Sequence, residues 1–293
     1  MSQSERARSL KPRNIRFLCG YLGISRQGYN KHKERHDELD VLRTSIVMYC
    51  NELRQRLPRA GMRQLYELCR RKFGEKFTIG REQCYDLFRS NGLVLRVRKC
   101  PRTTCSNHNY FIYPDMLNTT PKLKADRFGR FCVTDITYVA YLMGWAYLSL
   151  VTDAASRMIV GYALHAGLDK EGPIAALRQA ISFYESHSVD LGGLIHHSDR
   201  GSQYCCNKYV EILESKGIQI SMTQTGDPLH NALAERMNNT VKNGWLFDTE
   251  GLSFMELSRA VDNAVDAYNS LRPHQGLGMR TPYEQMKMLI SEG

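Results

Sequence analysis

With 293 residues, 42% of them apolar, the chain can bury one large core or two modest ones. No run of ~18 apolar residues exists to cross a bilayer as a helix, and Met1 to Arg8 lack the apolar stretch of a signal peptide, so no membrane span and a cytoplasmic protein are expected. Its net charge of +10 is uneven: residues 1–130 carry 28 Lys and Arg against 12 Asp and Glu, a net +16, whereas residues 131–293 carry −6. A basic front half of this size points to a polyanionic partner rather than to a merely solvated surface. Nine cysteines at irregular spacing read as free, mostly buried thiols.

In chain order, Ile15, Leu18, Tyr21 and Leu22 fall at helical spacing, and Gly23-Ile24-Ser25 makes a turn. Ser25 can cap a second short helix through Asn30. A longer helix over 37–57 carries the stripe Leu39, Leu42, Ile46, Tyr49 and Leu53. After Pro58-Arg59-Ala60-Gly61 comes a helix from Met62 towards Gly74. Another opens near Thr78, a candidate cap, and closes at Asn91-Gly92. Both pairs read either as helix-turn-helix units or as ordinary helical hairpins. In the first reading Arg63 and Arg81 meet nucleic acid, with Arg81 on the helix that enters the groove. Residues 94–102 form a basic extended arm with Arg96 and Arg98, and 103–129 are rich in Asn, Pro and other polar residues.

From residue 130 the periodicity changes. Residues 131–139, 143–152 and 157–164 read as an antiparallel three-strand meander, followed by a helix over 170–187. A strand (193–197), a helix (203–216), a short strand (217–222) and a helix (232–246) complete the order βββαβαβα. That α/β order is the order of a ribonuclease-H-like mixed sheet, here preceded by an all-α region; by itself it is an analogy of fold.

Three carboxylates stand out. Asp135 lies within the apolar strand Phe131 to Thr137, Asp199 at the carboxyl end of Leu194 to Ser198, and Glu235 on the helix that follows, with 35 residues between the last two. Charge in apolar strands is costly unless paired, and three carboxylates at one point repel unless hard divalent cations hold them. Two such ions ~3.5–4 Å apart can activate a nucleophile and stabilise a leaving oxygen in phosphodiester chemistry. Asp153 is a rival, because Val151-Thr152-Asp153 repeats Val133-Thr134-Asp135; it begins a polar turn, where an Asx-turn role suffices. His197 shares a strand face with Asp199 and His196 does not, which leaves His196 a packing role. Lys242 lies two helical turns beyond Glu235 on the same face, flanked by Arg236 and Asn239, where a lysine can hold a phosphate. Cys100, Cys105 and His108 lack zinc-ligand spacing, and no nucleotide-phosphate loop is present.

Gly61-Met62-Arg63-Gln64-Leu65-Tyr66, Thr134-Asp135-Ile136-Thr137-Tyr138, His197-Ser198-Asp199-Arg200-Gly201-Ser202-Gln203-Tyr204, Asn231-Ala232-Leu233-Ala234-Glu235-Arg236 with Lys242, and Tyr268-Asn269-Ser270-Leu271-Arg272-Pro273-His274-Gln275 together resemble the OrfB-type transposase of the insertion-sequence-3 family, a DDE recombinase with a retroviral-integrase-like core. One departure is His230 before Asn231-Ala232, where many relatives carry Asp. The resemblance implies that Asp135, Asp199 and Glu235 are catalytic and bind metal, with two Mg²⁺ ions that Mn²⁺ can replace. It implies a polynucleotidyl transferase that cleaves double-stranded DNA at the element's terminal inverted repeats and transfers the 3′-hydroxyl to target DNA at the nucleoid. It also implies homo-oligomers on DNA and an upstream OrfA-type partner or fusion. The expected organisation is a DNA-binding region (1–102), a linker (103–129), a catalytic core (130–250) and a helical extension (251–293). A non-catalytic DNA-binding protein and a ribonuclease-H-like nuclease are the competing readings.

Overall fold

The computed structural model describes residues 15–95, 111–117, 123–224 and 231–292. The basic arm with Arg96 and Arg98, and the Cys100, Cys105 and His108 set, lie outside them.

Four helices come first: α1 (Ile15–Tyr21), α2 (Arg26–Arg56), α3 (Met62–Phe73) and α4 (Arg81–Ser90). Ser25 Oγ accepts from Gly28 N at 2.9 Å and caps α2. The helices expected at 26–30 and 37–57 are one, because residues 31–36 contain neither Gly nor Pro to stop propagation. Gly80 rather than Thr78 occupies the N-cap of α4. Ile46, Cys50, Leu57, Leu65, Cys69, Cys84 and Phe88 form the buried centre of this bundle. All seven described cysteines are free and buried.

Strands β1 (Phe131–Tyr141), β2 (Gly144–Asp153) and β3 (Ile159–His165) form the meander. Helix α5 (Glu171–Ser186) then leads to β4 (Ile195–Ser198). Helices α6 (Ser202–Cys205) and α7 (Asn207–Ser215) lead to β5 (Gln219–Met222), and α8 (Ala232–Gly244) follows. The helix expected over 203–216 is broken at Cys206, whose ψ of 143° is extended. The sheet order is β3-β2-β1-β4-β5, with β1–β2 and β2–β3 antiparallel and β1–β4 and β4–β5 parallel. This is a ribonuclease-H-like mixed sheet.

Alternation divides the sheet's side chains between two layers. Cys132, Val151 and Val160 pack against Ile174, Leu177, Ala180 and Tyr184 of α5. A Cβ on Gly161 would stand 2.2 Å from the Ala176 carbonyl, so β3 and α5 meet where only glycine fits. On the opposite face Val139, Leu148 and Leu150 pack against α8 and against Leu257, Val261, Val265 and Tyr268 of α9 (Phe254–Ser270).

Two segments placed outside the core by the sequence reading pack onto it. Helix α9 is one. The other is 111–117, where Met116 N donates to Ser221 Oγ at 2.9 Å, Met222 N donates to the Pro114 carbonyl, and Leu117 is buried beside Val133 and Ile195. The last helix, α10 (Pro282–Glu292), adds Met286 to the α5 layer.

Candidate active site

Parallel pairing sets Val133 opposite His197, so two residues further along the same face Asp135 and Asp199 emerge as neighbours. Glu235 lies in the first turn of α8, where the helix dipole favours a carboxylate. Two asparagines fasten that helix to β1: Asn231 Nδ2 donates to the Thr134 carbonyl at 3.1 Å, and Asn238 Nδ2 to Asp135 Oδ2 at 2.8 Å. Asp135 Oδ1 accepts from Ile136 N at 2.9 Å. Asp199 Oδ1 accepts from Gly201 N at 2.9 Å, and a Cβ on Gly201 would come within 3.0 Å of that oxygen.

Burial pushes the Asp135 carboxyl up to about 7, and the Asp199 and Glu235 charges push the same way. Hydrogen bonds from Ile136 and Asn238 oppose the rise without cancelling it. The three acidic residues therefore share one field, with charge accumulating at a half-buried place. Among the described residues, no three His, Cys, Asp or Glu side chains are drawn together closely enough to hold an ion. The donors are all hard oxygens, the set that suits Mg²⁺ or Mn²⁺.

Asp153 is separate. Its Oδ1 accepts from Ala155 N, Ser156 N and Ser156 Oγ, and its Oδ2 from Gly129 N and Tyr184 OH. His196 Nε2 lies 2.9 Å from Tyr209 OH, and burial lowers its pKa to about 3, so the ring is neutral. His197 is fully buried, with Nδ1 2.8 Å from Ser221 Oγ.

Lys242 holds its ammonium 3.9 Å from the Tyr138 ring centroid, and Trp145 packs edge-on to that ring at 5.0 Å. Arg236 is exposed on α8. Arg63 donates to Gln275 Oε1 at 3.0 Å, and Arg81 pairs with Glu82 at 3.1 Å on the surface of the helical region. The residue that touches Asp135 is Asn238, not the exposed Asn239 named beside Arg236. Its signal was the i, i+3, i+7 spacing of Glu235, Asn238 and Lys242.

Two models described as integrase core domains match residues 125–228 and 216–282. The insertion element IS600 uncharacterized 31 kDa protein of Shigella sonnei is 32% identical over 277 residues, spanning 90% of this chain and 96% of that protein. The transposase for insertion sequence element IS629 from the same organism is 31% identical over 56% of this chain and 53% of that protein. The IS904 transposase of Lactococcus lactis is 29% identical over 58% and 65%. Among solved structures, the HTLV-2 integrase catalytic core domain in complex with magnesium aligns with 54% of this chain and 96% of that one, at 21% identity and a TM-score of 0.43.

Proposed function

This chain belongs to the insertion-sequence transposases that carry a retroviral-integrase-like core, and from that premise we propose that Asp135, Asp199 and Glu235 are the catalytic carboxylates with which it cuts element ends and joins them to target DNA. The observation that carries the reading is the field at Asp135. One half-buried carboxyl, raised to about 7, feels the charges of two more acidic residues, one just past β4 and one on α8. Among the described residues, the side-chain donor to Asp135 is the neutral amide of Asn238.

The same carboxylates would hold the divalent cations, and Mg²⁺ or Mn²⁺, when bound, supplies charge for the scissile phosphate and acidifies a water or 3′-hydroxyl. The protein's own part is positioning. Asn238 fixes the rotation of the Asp135 carboxylate, the Gly201 amide does the same for Asp199, and Asn231 pins the start of α8 so that Glu235 faces the strands. Lys242, braced on Tyr138, stands at the far end of the Glu235 face for a backbone phosphate of the duplex. Arg236, Arg63, Arg81 and the arm with Arg96 and Arg98 extend that contact towards the terminal repeat. Assembly as homo-oligomers on DNA, with an OrfA-type partner or fusion supplying further end recognition, completes the proposal.

The test is strand transfer of a labelled terminal-repeat duplex in Mg²⁺ by Glu235→Gln. The variant is expected to bind the duplex and leave its 3′ ends unjoined. Full transfer by this variant would refute the assignment.

A further inference from the structure

Helix α8, which carries Glu235, also lines a concavity of the opposite charge. It is a cleft of about 350 Å³ between the start of α3, the β2–β3 turn, α8 and the segment after α9. Arg63, Arg157, Arg236 and Arg272 line it, and no Asp or Glu does. Among the described residues, no carboxylate forms an ion pair with Arg157, Arg236 or Arg272. Arg157 and Arg272 are half-buried, and loss of water lowers the proton affinity of both guanidinium groups. Tyr268 offsets part of this for both groups and Asp153 for Arg157, while Arg236 adds to it at Arg157; cations withdrawn from water without a paired carboxylate are costly, and a fold that keeps several together gains from an anion.

Two further observations point the same way. His274 lines the cleft, and its Nε2 is shut off from water with no hydrogen-bond partner. Arg157 adopts φ 62°, an uncommon conformation for a residue with a side chain. It is held there by the turn that Asp153 organises, in which Arg157 N donates to the Asp153 carbonyl at 2.9 Å. Backbone in an uncommon conformation that carries a charge without a direct ion pair into a cleft is a recurring property of binding sites.

We propose that this cleft seats a phosphodiester group of duplex DNA at the seam between the helical region and the sheet. Guanidinium groups match phosphate oxygens in pairs. The seam itself is tied: Gln64 Nε2 donates to the Pro273 carbonyl at 2.9 Å, and Arg63 donates to Gln275. A phosphate here would bridge α3, α8 and the Arg272–Leu277 segment, and its α8 contact, Arg236, follows Glu235 directly in the chain. The inference rests on the reading that this protein acts on DNA and adds a site, Arg157 with Arg272, that the catalytic assignment does not require.

The test uses the full chain, wild type and Arg157→Gln/Arg272→Gln, with the exposed Arg236→Gln as a second variant whose folding is not at stake. Thermal melts are taken with and without inorganic phosphate, and binding of a terminal-repeat duplex is followed by anisotropy across a salt series. Phosphate is expected to raise the melting temperature of the wild type by a few degrees and not that of the double variant. The double variant should melt at or above the wild type without phosphate, because its half-buried cations are gone. Each variant should bind DNA with a slope of log K against log salt lower by about 1, the loss of one phosphate contact.

An unchanged salt slope in both variants overturns the proposal. So does a double variant that melts lower yet still responds to phosphate. Loss of the phosphate response with a wild-type salt slope assigns the cleft to a free anion and overturns the DNA assignment. Glu235→Gln should keep the phosphate-induced rise in melting temperature and the wild-type salt slope while losing strand transfer, so failure of the catalytic reading and failure of the cleft are separable.

Discussion

Val133-Thr134-Asp135 and Val151-Thr152-Asp153 are the same tripeptide on adjacent antiparallel strands, yet their aspartates end on opposite faces of the sheet. The register pairs Asp153 with Cys132 and Asp135 with Leu150, so Asp153 turns to the α5 layer and Asp135 to the α8 layer. Asp153 is the more deeply buried and is surrounded by donors: three backbone amides, the Ser156 hydroxyl and the Tyr184 phenol. Burial raises its pKa, and those bonds work against the rise. Asp135 has one amide, one asparagine and two like-charged neighbours. A carboxylate given enough donors becomes a fixed part of the fold. One left short of them beside other carboxylates keeps oxygen valence and charge for something from outside.

The sharpest way to break this contrast is to neutralise each aspartate in turn. Asp135→Asn should lower strand transfer by roughly 10³-fold or more while melting stays cooperative. Asp153→Asn should retain activity per folded molecule and cost ~3 kcal/mol in urea unfolding, because buried donors lose a charged acceptor. If the two variants exchanged these phenotypes, the contrast would collapse.

A pH series sharpens it further. In metal-free protein Asp135 has a folded pKa of about 7, above the ~3.9 of an unfolded chain, so between those values the folded state holds a proton that the unfolded state has released. Its cost to stability is absent below about pH 4, accumulates as pH rises from there to about 7, and stays level above. Asp135→Asn should thus be more stable than wild type at pH 8 in chelator, by up to ~4 kcal/mol at about 1.4 kcal/mol per pH unit between the two pKa values, with the difference closing at pH 4. A pH-independent difference, or one of opposite sign, counts against the crowded-carboxylate picture.

The smallest effect is expected at Lys242. Lys242→Met should cost ~0.5–1 kcal/mol through the lost contact with Tyr138 and lower the salt slope of DNA binding by about 1. Loss of stability with no change in slope would leave Lys242 a brace and not a DNA contact.

The sequence made the meander legible, because its strands alternate and are punctuated by turn residues, and it separated the two aspartates, because only Asp153 leads into Ala154-Ala155-Ser156. Periodicity could not show that Cys206 interrupts a helix, since the break lies in backbone torsion and not in residue type. Nor could it show that α9 lies in the core: an amphipathic helix looks the same whether it covers this sheet or another surface. The arginine cleft was invisible for a related reason. Arg157 and Arg272 are far apart in sequence, and nothing local distinguishes a buried arginine from a solvated one. Asn238 is an intermediate case, readable from its spacing to Glu235 once α8 is fixed.

The place of α9 sets a clock on synthesis. Strand β1 is complete at Tyr141, but the helix that covers its Val139 face ends at Ser270, roughly 130 residues later. At ribosomal rates of about 5–20 residues per second, that face waits on the order of 10 s for its cover. Until α9 follows, only α8 is available to cover Leu148, Leu150 and Val139, and the protease sensitivity of chains stalled before Phe254 measures what stays open.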